Sequence, residues 1–218
     1  MEKGTAKLDH LVIAAHTLDQ GTAYVRSCLG VAPSGGGKHV FMGTHNRVLN
    51  LGQGRYLEVI AVDPDAPVPA FPRWFALDNP DLQAALKIKP RLIAWVARTR
   101  AIDRLALADR QHPLHIRPMQ RGRLRWRFAF TADGSLPGDG LIPYLIQWES
   151  ATHPTETMPD ADCRLLTLAG MHPYRERIQR VLAAMGLVDA IALHPTSGQR
   201  SPGLAARIAT PGGVVMLV

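Results

Sequence analysis

Two polar residues stand where a buried strand expects apolar ones. In Leu8-Asp9-His10-Leu11-Val12-Ile13, strand alternation places His10 on the same face as Leu8 and Val12. In Tyr56-Leu57-Glu58-Val59-Ile60, Glu58 shares a face with Tyr56 and Ile60. A carboxylate there is costly to bury unless it is paired or bound to a cation. If the two strands adjoin in a curved sheet, His10 and Glu58 meet, and an imidazole with a carboxylate can ligate a divalent metal such as zinc, manganese, iron or nickel. The competing reading is structural: the two bond to each other or to Arg47 and stabilise the fold. His45, directly after Gly43-Thr44, is a candidate third ligand. A further run, Arg121, Arg123, Arg125 and Arg127, alternates with Gly122, Leu124, Trp126 and Phe128. As one strand it carries its guanidiniums on one side, either as a solvated face or facing a cavity where their forks suit a carboxylate or phosphate.

These residues need elements to hold them. Leu8–Ala15 reads as a buried strand, and Thr17 with Gln20 three residues later forms a capping-box pattern opening a helix that ends at Gly30. Residues 31–37 form a glycine-rich loop. Strands follow at Lys38–Met42, Arg47–Leu51 and Tyr56–Val62. The order is βαβββ. Residues 63–80 hold Pro64, Pro67, Pro69, Pro72 and Pro80, which suits a linker or a lid. A second unit repeats the order: strand Leu92–Thr99, helix Ala101–Arg110, then strands near His115, at Leu124–Thr131 and at Tyr144–Glu149. A third runs from Arg164, with a strand at Leu165–Ala169, Pro173 in the first turn of a helix ending at Gly186, and strands near Ala190, Ala205 and Val214. The helix endings Cys28-Leu29-Gly30-Val31 and Ala184-Met185-Gly186-Leu187 fall at similar distances from their preceding strands, which favours a duplicated unit.

The ordered set Leu8-Asp9-His10-Leu11-Val12, Gly43-Thr44-His45-Asn46-Arg47, Tyr56-Leu57-Glu58-Val59 and Pro72-Arg73-Trp74-Phe75-Ala76-Leu77-Asp78 resembles glyoxalase-like domain proteins of the vicinal oxygen chelate superfamily. The resemblance covers about residues 8 to 150, its later part through Pro143-Tyr144-Leu145-Ile146-Gln147-Trp148. It implies an α+β fold in which βαβββ modules, here 8–62 and 91–150 joined by the proline-rich linker, form a cupped mixed sheet or half-barrel with helices outside. Residues 151–218 would then pack on that domain or extend it. By position, His10 and Glu58 match the first-module metal pair. The second module departs from the pattern, offering Ile93, Ala94 and Trp95 where another histidine is usual and Gln147 where a carboxylate is. The resemblance thus implies metal ligation by His10, Glu58 and His45, chemistry at Glu58, His45 and Gln147, and substrate contacts from Arg47, Trp74, Arg127 and Trp148.

Composition bounds the function. With 46% hydrophobic and 20% charged residues among 218, the chain is an ordinary globular mix, folded nearly throughout. No run approaches the roughly 20 apolar residues that span a bilayer, and Met1–His10 lacks the apolar core of a signal peptide, so a cytoplasmic protein is expected. The net charge of +7 is scattered, which argues against a nucleic-acid partner. Cys28 and Cys163 read as buried thiols. Two functions follow: a metal-assisted isomerase, lyase or ring-cleaving dioxygenase acting on a small oxygenated molecule, or a metal-free protein that sequesters such a molecule in the same cup. The third unit, without a partner module, either extends the second module's sheet or pairs across a homodimer interface.

Overall fold

The computed structural model describes residues 6–110, 112–196 and 201–218. The segment 1–5, part of the stretch read for a leader, lies outside the described residues. Among the described residues, twelve strands form two sheets with helices packed on them. In the first module, β1 (Lys7–Ala14) and α1 (Leu18–Leu29) are followed by β2 (Ser34–His39), β3 (Thr44–Asn50) and β4 (Tyr56–Val62). α1 forms as its caps dictate: the Thr17 hydroxyl accepts from the Gln20 amide, and Gly30 ends the helix in the left-handed conformation at φ 74°. The expected strand at 38–42 is displaced. β2 pairs with β3 at Ser34 and again from Gly37 to His39, with Gly35 and Gly36 bulging between them at φ 60° and 88°, while residues 40–42 coil into a 3-10 turn. The glycine run lacks the side chains that mark a strand but retains every backbone group needed to pair as one.

A helix that the sequence reading did not anticipate, α2 (Pro80–Ile88), follows the proline-rich segment. Its signals are Asn79, whose side chain accepts from the amides of Asp81 and Leu82, and Pro80 in the first turn. The second module comprises β5 (Arg91–Arg98), α3 (Ile102–Leu105), β6 (His115–Arg121), β7 (Leu124–Phe130) and β8 (Tyr144–Trp148). The helix expected over 101–110 is cut to a single turn, because the Ala106 carbonyl that a continuing helix would use accepts instead from the Leu114 amide. The arginine run is also not one strand. It folds as a hairpin in which Arg121 pairs with Leu124 around Gly122 and Arg123, with Gly122 at φ 58° as a two-residue turn requires.

The eight strands order as β2-β3-β4-β1-β5-β8-β7-β6. The opening strands of the two modules lie side by side at the centre, antiparallel, and each runs parallel to the closing strand of its own module. This is an α+β half-barrel, with α1 covering the outer face of β4 and β3. Among the described residues, no helix is long and apolar enough to cross a membrane.

Residues 164–218 supply β9 (Arg164–Met171), α4 (Arg175–Met185), β10 (Ala192–His194), β11 (Gly203–Thr210) and β12 (Gly213–Leu217). The βαβββ order recurs, but the pairing does not. These strands order as β10-β9-β11-β12, so the opening strand pairs with its second and third strands and not with its fourth. The likeness of helix endings therefore reflects a common way of stopping a helix at glycine rather than a copied module. The sheet packs against the back of β5 through β11 and does not extend the second module's sheet. One contiguous apolar core runs through both sheets. Cys163 is buried and Cys28 half-buried, both as free thiols.

Trp95 sits in that core with no exposed surface, and its indole N–H donates to the Leu141 carbonyl at 3.0 Å. Replacing it by alanine removes a buried ring, and we expect a loss of about 3–5 kcal/mol. Urea denaturation followed by circular dichroism should show this loss in one cooperative transition, since the two sheets share a core. Two separated transitions would show that they fold independently.

Candidate functional site

Strand alternation builds the concave face of the half-barrel. His10, Tyr56, Glu58, Asn46 and Val48 point inward from the first module, and Trp126, Phe128, Ile146 and Trp148 from the second. Trp74 and Phe75 from the proline-rich segment close it beside Phe128, with ring centroids 5.1 and 6.2 Å away. That segment is thus a cover over the cup. Phe75 and Ala76 take left-handed conformations at φ 57° and 54°, a strain of about 1–3 kcal/mol per residue that surrounding contacts must hold. The Ala76 amide supplies one such contact, donating to the Gly134 carbonyl at 2.7 Å. The free space in the cup is about 40 Å³, room for a few water molecules, since one water needs roughly 10–15 Å³.

The deepest polar group is one that the sequence reading passed over. β1 bulges at Asp9: Leu8 pairs with Ala97 and His10 with the adjacent Val96, leaving Asp9 without a partner in β5. The bulge buries two consecutive side chains, Asp9 at 0% exposure and His10 at 3%. Asp9 Oδ1 accepts from His10 Nδ1 at 2.7 Å. Asp9 Oδ2 accepts from His153 Nε2 at 3.0 Å, Trp148 Nε1 at 3.1 Å and Arg98 NH1 at 3.3 Å. Burial by itself would raise this carboxyl, but the hydrogen bonds and charges of His10 and His153 outweigh it and hold Asp9 well below the usual carboxylate range. His10 is also fixed by its stack on Tyr56, centroids 4.5 Å apart. With Nδ1 committed to Asp9, the other nitrogen, Nε2, faces Glu58 Oε2 at 3.5 Å. Glu58 Oε1 accepts from Asn46 Nδ2 at 2.5 Å.

His10 and Glu58 therefore meet inside the cup, and Trp74 and Trp148 line it. The remaining candidates are placed elsewhere by the pleat. His45 and Arg47 alternate with Asn46 on β3 and stand on the outer face, in a separate cleft with His16, Arg73 and Asp78. Arg47 donates to the Gly35 carbonyl. Gln147 lies one residue off the inward positions of β8, and its Oε1 accepts from the Ile102 amide. Arg127 alternates outward between Trp126 and Phe128 and forms a two-point ion pair with Asp103 at 2.5 and 2.8 Å. In their place the fold brings in Asp9, His39, Asn46, Tyr56, Arg121 and His153. Sequence gave hints for Asp9, an acid next to a histidine in an otherwise apolar strand, and for Arg121, in the arginine run read as a solvated face or a cavity-facing one. The others reach the site by tertiary closure.

The donor set decides the metal question. Zinc asks for four ligands, and manganese or iron for more. The cup offers His10 Nε2 and one oxygen of Glu58, with a third donor, His39 Nε2, already accepting from Arg121 NH1 at 3.3 Å. The second-module strands contribute Ala94, Val96, Ile146 and Trp148 at the facing positions, none of them a ligand. Among the described residues, no cluster of three or more histidine, cysteine, aspartate or glutamate side chains could hold a metal. The residues present do not fit the divalent ion that the resemblance implies.

The glyoxalase-like domain family matches residues 8–186 of the chain, spanning both modules together with β9 and α4. The chain belongs to that family. No curated protein matches it in sequence. Among solved structures, a Mycobacterium tuberculosis methylmalonyl-CoA epimerase aligns over 70% of this chain and 93% of its own, at 16% identity and a TM-score of 0.43. A Streptomyces coelicolor methylmalonyl-CoA epimerase variant in complex with 2-nitronate-propionyl-CoA aligns over 68% and 97%, at 17% identity and a TM-score of 0.44. A hypothetical protein from Bacillus halodurans aligns over 67% and 96%, at 14% identity and a TM-score of 0.41. The epimerase activity and the coenzyme A ligand belong to those proteins.

Asp9 binds four donors, so Asp9→Asn should destabilise the fold by about 3–5 kcal/mol at neutral pH. Because the folded value lies below the unfolded one of about 3.9, the stabilisation is present above that pH and is lost as pH falls through the folded value. The gap between wild type and Asp9→Asn, read by urea denaturation at stepped pH, should therefore hold from pH 7 to 5 and narrow below 4. A gap constant down to pH 2 would contradict this account.

Proposed function

We propose that the chain is an enzyme that moves a proton on a small oxygenated molecule, an isomerase or lyase in type, working without a bound metal. The observation that carries this reading is the line Asp9–His10–Glu58. Asp9 orients His10 so that Nδ1–H is spent and Nε2 is presented to the cup, the arrangement that makes an imidazole a general base. Glu58 beside it can hold the proton that His10 releases or takes up, and Asn46 fixes the Glu58 carboxylate against rotation. The aromatic wall of Trp74, Trp126, Phe128 and Trp148 excludes water around the reacting atoms. The small free volume favours a compact substrate, admitted when the Trp74–Phe75 cover lifts.

A metal-free sequestering protein is the second reading, favoured by the same incomplete donor set. Proton exchange separates the two. Small carbon acids with vicinal oxygens, such as 2-hydroxyketones and 2-ketoacids, incubated with the protein in D₂O should lose the signal of the activated C–H in proton NMR. His10→Ala and Glu58→Gln should slow this by about 10²–10⁴-fold. Dialysis against a chelator should leave the rate unchanged. A rate lost on chelation and restored by manganese or zinc would return the metal-assisted reading, and saturable binding with no exchange would favour the sequestering one.

A further inference from the structure

We propose that the cup selects a carboxylate-bearing substrate and holds it on Arg121, which names the substrate class for the site described above and rests on the reading of the cup as the working site. Arg121 is the last residue of β6, and its side chain lines the cup where the β6 end of the sheet meets the β2 end. Arg73, Arg98, Arg127 and Arg177 are each paired with an aspartate. Arg121 has no carboxylate within ion-pair distance among the described residues. Its NH1 donates to Asn46 Oδ1 at 3.0 Å and to His39 Nε2 at 3.3 Å, both neutral acceptors. No hydrogen bond to its Nε or NH2 is formed among the described residues, leaving donors of the kind that grip a carboxylate at two points.

The neighbours keep that charge uncompensated. Asn46 Oδ1 also accepts from the Gly37 amide at 2.9 Å, while its Nδ2 donates to Glu58, so both ends of the amide are determined. The amide stands between Glu58 and Arg121 as a neutral spacer. A guanidinium has no acceptor, so His39 Nε2 must carry the lone pair and Nδ1 the proton, which points to Thr44 Oγ1 at 3.2 Å. Burial pushes the His39 imidazole down to about 4, helped by the Arg121 charge and opposed by Glu58, so it stays neutral near pH 7. His39 is thus a positioning residue for Arg121. Gly37 clears the path, because a Cβ there would lie 3.1 Å from Arg121 Cδ and 3.5 Å from its Nε.

An independent observation also asks for an acceptor. The Trp74 indole N–H, in the wall of the same cup, is buried without a hydrogen-bond partner among the described residues. A buried donor left unpaired is costly, and native structures keep few of them. A carboxylate in the cup lined by Arg121 and Trp74 supplies acceptors of the kind that this donor lacks.

The test uses Trp74, Trp126 and Trp148 as reporters. Tryptophan fluorescence of the full chain is titrated with acetate and benzoate, and with the matched neutral amides acetamide and benzamide, at constant ionic strength. We expect saturable quenching by the carboxylates and at least tenfold weaker binding of the amides. Arg121→Gln should abolish the preference, and Arg121→Lys should retain only part of it, since lysine keeps the charge and loses the fork. His39→Gln and Gly37→Ala should reduce the preference with thermal melts close to wild type. Equal binding of amide and carboxylate, no carboxylate binding, or a preference that survives Arg121→Gln overturns the proposal. Carboxylate preference without proton exchange leaves the substrate class standing and removes the catalytic reading. Exchange on neutral ketones undiminished in Arg121→Gln does the reverse.

Discussion

One buried carboxylate ties the two modules together. Asp9 is wholly enclosed, and a charge in that position is tolerable only because four donors reach it from separate parts of the chain: His10 on β1, Arg98 on β5, Trp148 on β8 and His153 beyond β8. Each donor is thereby fixed in turn. His10 gains its orientation, Trp148 is pinned as a wall of the cup, and the segment after β8 is drawn across the end of the barrel. The bulge that makes room for Asp9 is a local irregularity with a global consequence, since without it the side chain would point away from its partners.

The cup that results has two unlike halves. The first module supplies nearly all of the polar groups, His10, Glu58, Asn46, Tyr56 and His39, while the second supplies aromatic and aliphatic walls and a single charge, Arg121. A symmetric pair of modules would offer matching ligands from both sides. Here the second module has Val96 and Ile146 where donors would stand, and the inventory suits holding and moving a proton better than coordinating a metal. The aromatic lining lowers the local dielectric, which strengthens the Asp9–His10 bond and the field of Arg121 alike.

Strain is concentrated on the cover. Phe75 and Ala76 hold left-handed backbones next to the cup, and the Trp74 N–H lacks a partner among the described residues. Both are features that the rest of the fold must offset, and both lie on the segment that governs access. The back of the sheet is, by contrast, packed by α1 and the four-stranded sheet, which cover β4, part of β3 and β5 in one continuous core.

Sequence by itself determined the elements whose signals are local. The β1, β4 and β5 strands are apolar runs, α1 has its Thr17 cap and Gly30 stop, and His10 and Glu58 betray themselves as polar residues among apolar neighbours. The glyoxalase-like resemblance rested on the same segments. The period of two along a strand, however, fixes only relative faces, and it is broken by a bulge that no propensity announces. Asp9 therefore escaped notice, and His45, Arg47, Gln147 and Arg127 fell on the outer face. The arginine run became a hairpin because Gly122 turned the chain, which put Arg121 in the cup and Arg127 outside it. His39 meets Arg121, and His153 meets Asp9, across 82 and 144 positions of chain. Such contacts depend on how the sheet curves and closes, which is settled by the sum of its packing and not by any stretch of sequence.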